Sequence, residues 1–346
     1  MQDETRRGKV RKMGVINFSR RLALALVAGS ALSLFAGGVA VAQDKVLLRL
    51  AHGYTTTSVE QEVLAATADR IRERTGGALD IQIFPANELG TNADMVEQAV
   101  SGGDVIVFVD ASGAAEKGFP TLGILSGPFL FDNGEQAQKF AKSDMFKEWT
   151  EELAAKGNLR ILALNWFDEP RDIIGDRSFA DPASLKGMKV RLPPLAAWLA
   201  TFEPLGAIPT SLTYGETYGA LEQGVVNATE SSPNAIFAAK WHEVSKHLTR
   251  TGHIRPWLGY AMGEDAFKRL SEDHRKVLVE EFTASGEAAA KTHTERTNGH
   301  IEQMKAAGVE IHEADIPAYR AATEGFYTSS KDWPADLVGQ IRALAQ

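Results

Sequence analysis

The 346-residue chain contains no cysteine. Disulfide bonds, thiolate catalysis and cysteine zinc sites are therefore excluded. The common catalytic and nucleotide motifs are also missing: there is no Gly-x-Ser-x-Gly turn, no His-Glu-x-x-His pair, no phosphate loop and no Gly-x-Gly-x-x-Gly. Positive charge is scarce, with 37 Lys and Arg residues against 45 Asp and Glu residues. Because an acidic chain is poorly suited to nucleic acid or to an anionic membrane, we expect neither as a partner.

The first 42 residues have the pattern of a secretory signal. A basic run precedes the apolar residues 22–36, and Ala40-Val41-Ala42 ends the segment with the small residues of a cleavage site. The apolar stretch is shorter than the ~20 residues of a membrane span. We therefore expect export to the periplasm and cleavage near Ala42. Sec and twin-arginine export, and Met1 or Met13 as the start, stay open.

The remaining chain, about 300 residues, is too long for one ordinary domain, and two lobes are expected. Apolar strand patterns alternate with amphipathic helix patterns, which is typical of an α/β fold with a helix-covered sheet. From Ser271 the pattern becomes helical as far as about Ala307. At ~1.5 Å per residue, such a helix would be longer than one lobe.

Arg191 lies near the centre of the most informative stretch, residues 181–232. It belongs to a short predicted strand that Pro193-Pro194 ends. Open α/β sheets bind ligands at strand ends. A guanidinium offers a planar fork of donors that matches two carboxylate oxygens, so we expect Arg191 to bind a carboxylate. A structural salt bridge is the alternative.

Three motifs in this stretch occur in a characteristic order: LKGMKVRLP at residues 185–193, LGAIP at 205–209 and ETYGALEQGVVN at 216–227. Together they resemble the core signature of the DctP-type solute receptors of TRAP transporters, which are tripartite, ATP-independent periplasmic importers of organic acids. The resemblance extends over nearly the whole exported chain, through LAH at 50–52, TGG at 75–77, ELG at 88–90 and PFLF at 128–131.

The resemblance implies a two-lobed periplasmic-binding-protein-like α/β fold. Each lobe would be a mixed sheet flanked by helices, joined by hinge strands and by one long helix that spans both lobes. After the signal peptide at residues 1–42, lobe I would take residues 43–168 and 257–296. Lobe II would take residues 169–256 and 297–346, including the C-terminal helices.

The resemblance also implies ligand-binding roles for several residues. Arg191 matches the family's carboxylate-binding arginine, Arg171 a second ligand-binding arginine, Tyr214 a pocket aromatic, and Glu216 the adjacent motif glutamate. Ser231 stands where the family more often has asparagine, and it offers one shorter hydroxyl instead of an amide, so the hydrogen bond there would be absent, water-mediated or suited to a bulkier ligand. Further candidates at strand ends or possible pocket walls are His52, Tyr54, Asn92, Asp110, Trp166 and Trp257.

The resemblance implies a receptor that delivers a small organic anion to the small and large membrane subunits of a TRAP transporter. The receptor would be a monomer, with no cofactor and no catalytic turnover. No metal site is expected, because His293 and His300 are interpreted as part of a solvated helix face. The alternatives are a receptor of another importer, a sensor subunit, or a secreted enzyme that acts on organic acids with Asp110 or Glu216 as base. The class of carboxylate stays open.

Overall fold

The computed structural model describes residues 45–167 and 169–346. The expected signal peptide at residues 1–42 lies outside the described residues. None of the helices in the described part has the length and apolar character needed to cross a membrane. The strands are β1 (Val46–Ala51), β2 (Leu79–Phe84), β3 (Val105–Asp110), β4 (Leu159–Phe167), β5 (Asp172–Gly175), β6 (Lys189–Leu192), β7 (Ile208–Ser211), β8 (Ala228–Ser231), β9 (His247–Arg250), β10 (Trp257–Gly263) and β11 (Glu310–Glu313).

The helices fall between and after these strands. They are α1 (Val59–Arg74), α2 (Asn92–Val100), α3 (Ala111–Ala115), α4 (Gly134–Ala141), α5 (Asp144–Gly157), α6 (Ala196–Phe202), α7 (Thr217–Glu222), α8 (Pro233–Ala238), α9 (Trp241–Val244), α10 (Glu264–Arg269), α11 (Glu272–Ala306), α12 (Ile316–Thr323) and α13 (Leu337–Leu344). Short 3₁₀ turns lie at Pro120–Ser126, Pro182–Leu185 and Glu324–Thr328.

The strands form two mixed sheets, which define the two lobes. Lobe I contains the order β2-β1-β3-β10-β4, and lobe II the order β11-β9-β5-β8-β6-β7. In lobe I, β10 runs antiparallel to both β3 and β4. Every residue of β3 and β10 is buried, as expected for strands that helices cover on both faces. The predicted two-lobed α/β fold is confirmed.

The long helix α11 connects the lobes. Its 35 residues would span roughly 50 Å at ~1.5 Å per residue. Ser271 caps its first turn by accepting a hydrogen bond from the His274 amide at 3.2 Å. The helix packs on β4 and α1 of lobe I and on α8 of lobe II, so one rigid element bridges the two sheets.

The C-terminal helix α13 departs from the expected division of the chain, which placed residues 297–346 in lobe II. Leu337 and Ile341 are buried in the core of lobe I, and α13 packs against α4. The two residues are four apart and therefore share one helix face. Arg342 strengthens this attachment by donating to the Leu130 carbonyl at 3.2 Å.

Candidate functional site

A cavity of about 320 Å³ lies between the two sheets. Its lining comes from both lobes and includes charged, amide, hydroxyl and aromatic side chains. Seven of the candidate residues line it: Arg171, Arg191, Tyr214 and Ser231 from lobe II, and Tyr54, Asn92 and Asp110 from lobe I. At roughly 30 Å³ per water molecule, the volume corresponds to about ten waters, or one small metabolite.

Arg191 is a buried cation in this lining. Its side chain projects from β6, and the residue is 2% exposed. Nε and Nη2 both donate to the Leu212 carbonyl, at 2.9 and 2.7 Å. Within the described residues, no carboxylate forms an ion pair with it. Burial lowers the pKa of Arg191 to about 10, against the opposing effect of Glu230, so the group stays charged at neutral pH.

Arg171, the second arginine, has a carboxylate partner. Nη2 donates to Glu230 Oε1 at 2.8 Å and to the Glu230 carbonyl at 3.0 Å, while Nε donates to Oε2. Glu230 is fully buried. Burial alone would raise the pKa of its carboxyl, but the charge of Arg171 and a contact with His253 hold it at about 2. The charge of Arg171 is therefore largely compensated, whereas that of Arg191 is not.

Asp110 places a carboxylate at the lobe I side of the cavity. It ends β3 and caps α3, with Oδ1 accepting from the Gly113 amide at 2.7 Å. Oδ2 accepts from the Ser126 hydroxyl at 3.1 Å. Burial raises the pKa of Asp110 to about 6, although these hydrogen bonds act in the opposite direction. The residue is both a helix cap and part of the lining.

Aromatic side chains form one wall and hold the lobes together. Tyr54 of lobe I meets Tyr214 of lobe II edge-on, with ring centroids 5.6 Å apart. Tyr214 is oriented by a hydrogen bond from its hydroxyl to the Ala235 carbonyl at 2.7 Å. On another side of the cleft, the Ala197 amide of α6 donates to the Ser112 hydroxyl of α3 at 3.4 Å. These contacts cross directly from one lobe to the other.

A second set of contacts between the lobes lies where α1 and α8 meet the long helix α11. His293 was expected on a solvated face of α11, but it is buried and lies 3.3 Å from Glu60 of α1. Asn234 of α8 donates to the His293 carbonyl at 3.0 Å, and His300 Nδ1 lies 2.6 Å from Asn234 Oδ1. These histidines therefore tie α1, α11 and α8 together.

Four candidates lie outside the cavity lining. His52 is buried with Nε2 3.0 Å from Gln61 Oε1. Trp166 and Trp257 are core residues: Trp166 packs on Tyr260, and Trp257 packs among Phe131, Phe140 and Phe146. Glu216 is exposed and accepts hydrogen bonds from the amide and hydroxyl of Thr213, at 2.8 and 2.6 Å, which positions the loop before Tyr214. Those hydrogen bonds lower its pKa.

Sequence reasoning missed several residues of the lining or of its support, including Asn87, Trp198, Thr213 and the Arg171 partner Glu230. Trp198 is 1% exposed, and its indole N–H has no hydrogen-bond partner among the described residues. The Arg171 guanidinium lies 5.6 Å from its ring centroid. A charged residue within the short strand β8, between Thr229 and Ser231, is the one sequence signal that could have drawn attention to Glu230.

The chain has clear similarity to known proteins. Residues 50–332 match the model of bacterial extracellular solute-binding protein, family 7. The 2,3-diketo-L-gulonate-binding periplasmic protein YiaO of Escherichia coli K12 is 31% identical over 81% of this chain and 86% of its own length. The C4-dicarboxylate-binding periplasmic protein DctP of Rhodobacter capsulatus is 27% identical over 93% of this chain and 96% of its own. A TRAP periplasmic solute-binding protein of Ochrobacterium anthropi with bound L-fuconate has a TM-score of 0.83 and 34% identity, covering 87% of this chain and 100% of its own.

Proposed function

The chain belongs to family 7 of the bacterial extracellular solute-binding proteins, the DctP family, and from this premise we propose that its solute is a polyhydroxylated monocarboxylate, a sugar acid. The protein is an extracytoplasmic receptor that binds a small carboxylate-containing solute between its lobes for a TRAP-type transporter. Its relatives are binding proteins rather than enzymes.

This proposal rests on the balance of charges among Arg171, Glu230 and Arg191 at the cavity. Glu230 compensates Arg171, while Arg191 has no carboxylate partner in the described part of the chain. One uncompensated guanidinium matches one carboxylate, because a second buried anion would lack a counter-charge. A monoanion therefore fits this cavity better than a dicarboxylate does. In our proposal the solute carboxylate binds Arg191.

The rest of the lining suits a body rich in hydroxyl groups. Asp110 can accept hydrogen bonds from solute hydroxyls, and Asn92 and Ser231 can both donate and accept. Tyr54 and Tyr214 supply flat apolar surface against the carbon chain.

Two of the relatives support the same class of solute. YiaO is named for a six-carbon keto sugar acid, and the Ochrobacterium anthropi protein was solved with a six-carbon deoxy sugar acid. The Rhodobacter capsulatus protein is named for C4-dicarboxylates. Dicarboxylates are therefore the competing class, and the charge balance around Arg191 supports a sugar acid over them.

Delivery would follow closure of the lobes. Closure expels water from the cavity and strengthens the Arg191 ion pair by lowering the local dielectric. The closed receptor, as a monomer, would then dock on the small and large membrane subunits of the transporter. We place this cycle in the periplasm after cleavage near Ala42, with no cofactor.

Calorimetric titration tests the proposal. The receptor would be refolded free of bound solute and titrated with six-carbon aldonates and uronates, the corresponding neutral sugars, C4-dicarboxylates and glycerol phosphodiesters. We expect binding by at least one sugar acid and at least 100-fold weaker binding of its neutral sugar and of every dicarboxylate. Tighter binding of a dicarboxylate, a phosphodiester or a neutral sugar would overturn the assignment.

A further inference from the structure

His247, Glu310 and His312 bring three metal-ligating groups together on lobe II, outside the solute cavity. His247 Nδ1 lies 3.0 Å from His312 Nε2 and 3.6 Å from Glu310 Oε2, and His312 Nε2 lies 3.8 Å from the same oxygen. Both imidazoles are about one quarter exposed, and Glu310 is mostly exposed. The cluster can therefore be reached from solvent.

The spacing of these atoms fits one tetrahedral metal ion. Zinc binds imidazole nitrogen and carboxylate oxygen at roughly 2.0–2.2 Å, which places neighbouring ligand atoms about 3.3–3.5 Å apart. The three separations in the structure, 3.0, 3.6 and 3.8 Å, bracket that value. Small side-chain rotations would equalise the distances, and a water molecule would fill the fourth position.

The sheet itself arranges the three donors. Strands β9 and β11 pair in parallel, with Glu310 opposite His247 and His312 opposite Thr249. Glu310 and His312 are two residues apart, so both side chains project from one face of β11. The backbone thus holds the donors on two hydrogen-bonded strands, although His247 is 63 residues from Glu310 in the chain.

Local charge also favours a cation. In the described residues, the ion-pair contacts of Glu310 are those with His247 and His312. The nearby Lys246 ammonium is directed to the carbonyls of His242 and Ala307, at 3.0 and 3.1 Å, and not to Glu310. A bound metal would replace the contact between the two imidazoles and would neutralise the carboxylate.

We propose that His247, Glu310 and His312 form a binding site for a borderline divalent transition metal, Zn²⁺ in the first instance. Two imidazoles and one carboxylate are a donor set that zinc accepts, whereas Mg²⁺ and Ca²⁺ prefer oxygen ligands. The metal fastens β11, the edge strand, to β9. Since β11 directly follows α11 and precedes α12, the bound ion stabilises the end of lobe II and leaves the solute cavity unchanged.

The test uses receptor isolated from the periplasm without a polyhistidine tag. Metal is removed by dialysis against a chelator, and Zn²⁺ is titrated by calorimetry. We expect one zinc per chain and, at 100 times the dissociation constant, a rise of a few degrees in melting temperature. His247→Asn and His312→Asn should each weaken zinc binding at least 30-fold, and Glu310→Gln about 10-fold, with solute affinity unchanged in all three.

Two controls separate this site from general metal uptake. His300→Asn removes a histidine of similar partial burial elsewhere and should bind zinc as the unaltered protein does. Mg²⁺ should not compete at millimolar concentration. The proposal fails if the unaltered protein binds no zinc below 100-fold molar excess. It also fails if the His312→Asn variant, with a normal circular dichroism spectrum, binds zinc as tightly as the unaltered protein, which would indicate adventitious binding.

Discussion

Arg171 donates hydrogen bonds to both carboxylate oxygens of Glu230, and the two residues are buried together at the end of β8. The pair is close to electrically neutral. Arg191, on the neighbouring strand β6, is also buried, but in the described structure its hydrogen bonds go to one backbone carbonyl. The same interior region therefore contains one arginine whose charge a protein carboxylate compensates and one whose charge a solute anion can compensate.

Glu230→Gln should destabilise the solute-free protein strongly. The substitution removes the carboxylate charge from the buried Arg171–Glu230 pair, and removing one partner of a buried pair costs about 3–5 kcal/mol. Urea unfolding at pH 7 measures the change in the free energy of unfolding. Glu280→Gln is the control, because Glu280 pairs with Arg74 on the surface and should lose less than about 1 kcal/mol. Equal losses in the two variants would contradict the assigned role of the pair.

The same pair predicts acid sensitivity. The folded pKa of Glu230, about 2, lies below the ordinary value of 4.5. A carboxyl with a depressed pKa contributes stability that is present above its unfolded pKa and is lost as pH falls through the folded pKa. The free energy of unfolding of the unaltered protein should therefore fall from about pH 4.5 to pH 2 by up to roughly 3 kcal/mol through this group. Glu230→Gln should lack that part of the decline.

Arg191→Met should abolish high-affinity solute binding. It removes the uncompensated guanidinium, and loss of one partner of a buried charged pair costs about 2–5 kcal/mol, so affinity should fall roughly 30-fold or more. Arg191→Lys keeps the charge without the fork and should lose roughly tenfold. Calorimetry with the tightest sugar acid measures both. Arg177→Met, which alters an exposed arginine paired with Asp176, should bind normally.

The melting temperature of the solute-free variant separates a binding role from a structural one. Arg191 has no carboxylate partner in the described structure, so Arg191→Met loses the hydrogen bonds to the Leu212 carbonyl and should lower the melting temperature by no more than a few degrees. A variant that melts at least 10 degrees below the unaltered protein, or that binds sugar acid equally well, would show that Arg191 is a structural residue.

The sequence was sufficient to predict the two-lobed fold, because its signals are local and consistent. The continuous apolar run of β3 predicts a buried strand, and the long helical pattern of α11 predicts a helix. The position of α13 was not predictable in this way. Leu337 and Ile341 identify its apolar face, but the neighbouring sequence does not indicate which lobe that face packs against.

Some residues of the site could be predicted from the sequence and others could not, for a related reason. Asp110 ends β3 and Arg191 lies one residue before the end of β6, and strand ends converge on the cavity, so both could be placed from the pattern. Trp257 also starts a strand, but its side chain is directed into the lobe I core and not towards the cavity. Glu230 could not be paired with Arg171 from sequence, because 59 residues separate them and only the antiparallel register of β5 and β8 brings them together.

Gly259→Ala should destabilise lobe I severely. A Cβ at this position would lie 1.9 Å from the Ala163 carbonyl oxygen on the paired strand β4, and a backbone atom cannot move aside as a flexible side chain can. We expect a loss of about 3 kcal/mol or more in the free energy of unfolding. Gly339→Ala is the control, because its Cβ meets no atom within 4 Å in helix α13, and it should gain about 0.5–1 kcal/mol. A normal unfolding midpoint for Gly259→Ala would contradict the β10–β4 packing.

Asp110→Asn should make the protein more stable and should weaken its binding of solute. Burial raises the folded pKa of Asp110 to about 6, above the ordinary 3.8, so its charged form opposes folding at neutral pH. Asparagine can keep the cap, with Oδ1 accepting from the Gly113 amide. At pH 8 we expect the variant to gain about 1–3 kcal/mol in the free energy of unfolding. Sugar-acid affinity should fall about tenfold, because solute hydroxyls lose a charged acceptor.

The pH dependence makes this prediction specific to Asp110. The stability associated with a carboxyl of raised pKa is fully present below its unfolded pKa and is lost as pH rises through the folded value. The advantage of Asp110→Asn should therefore be greatest above pH 6 and should vanish near pH 4. Asp144→Asn alters an exposed carboxylate in the first turn of α5. It should show neither the gain in the free energy of unfolding nor the loss of solute affinity. If Asp110→Asn is less stable than the unaltered protein at pH 8, the carboxylate is needed for the fold. Its position in the cavity lining would then be explained by that structural role and not by solute binding.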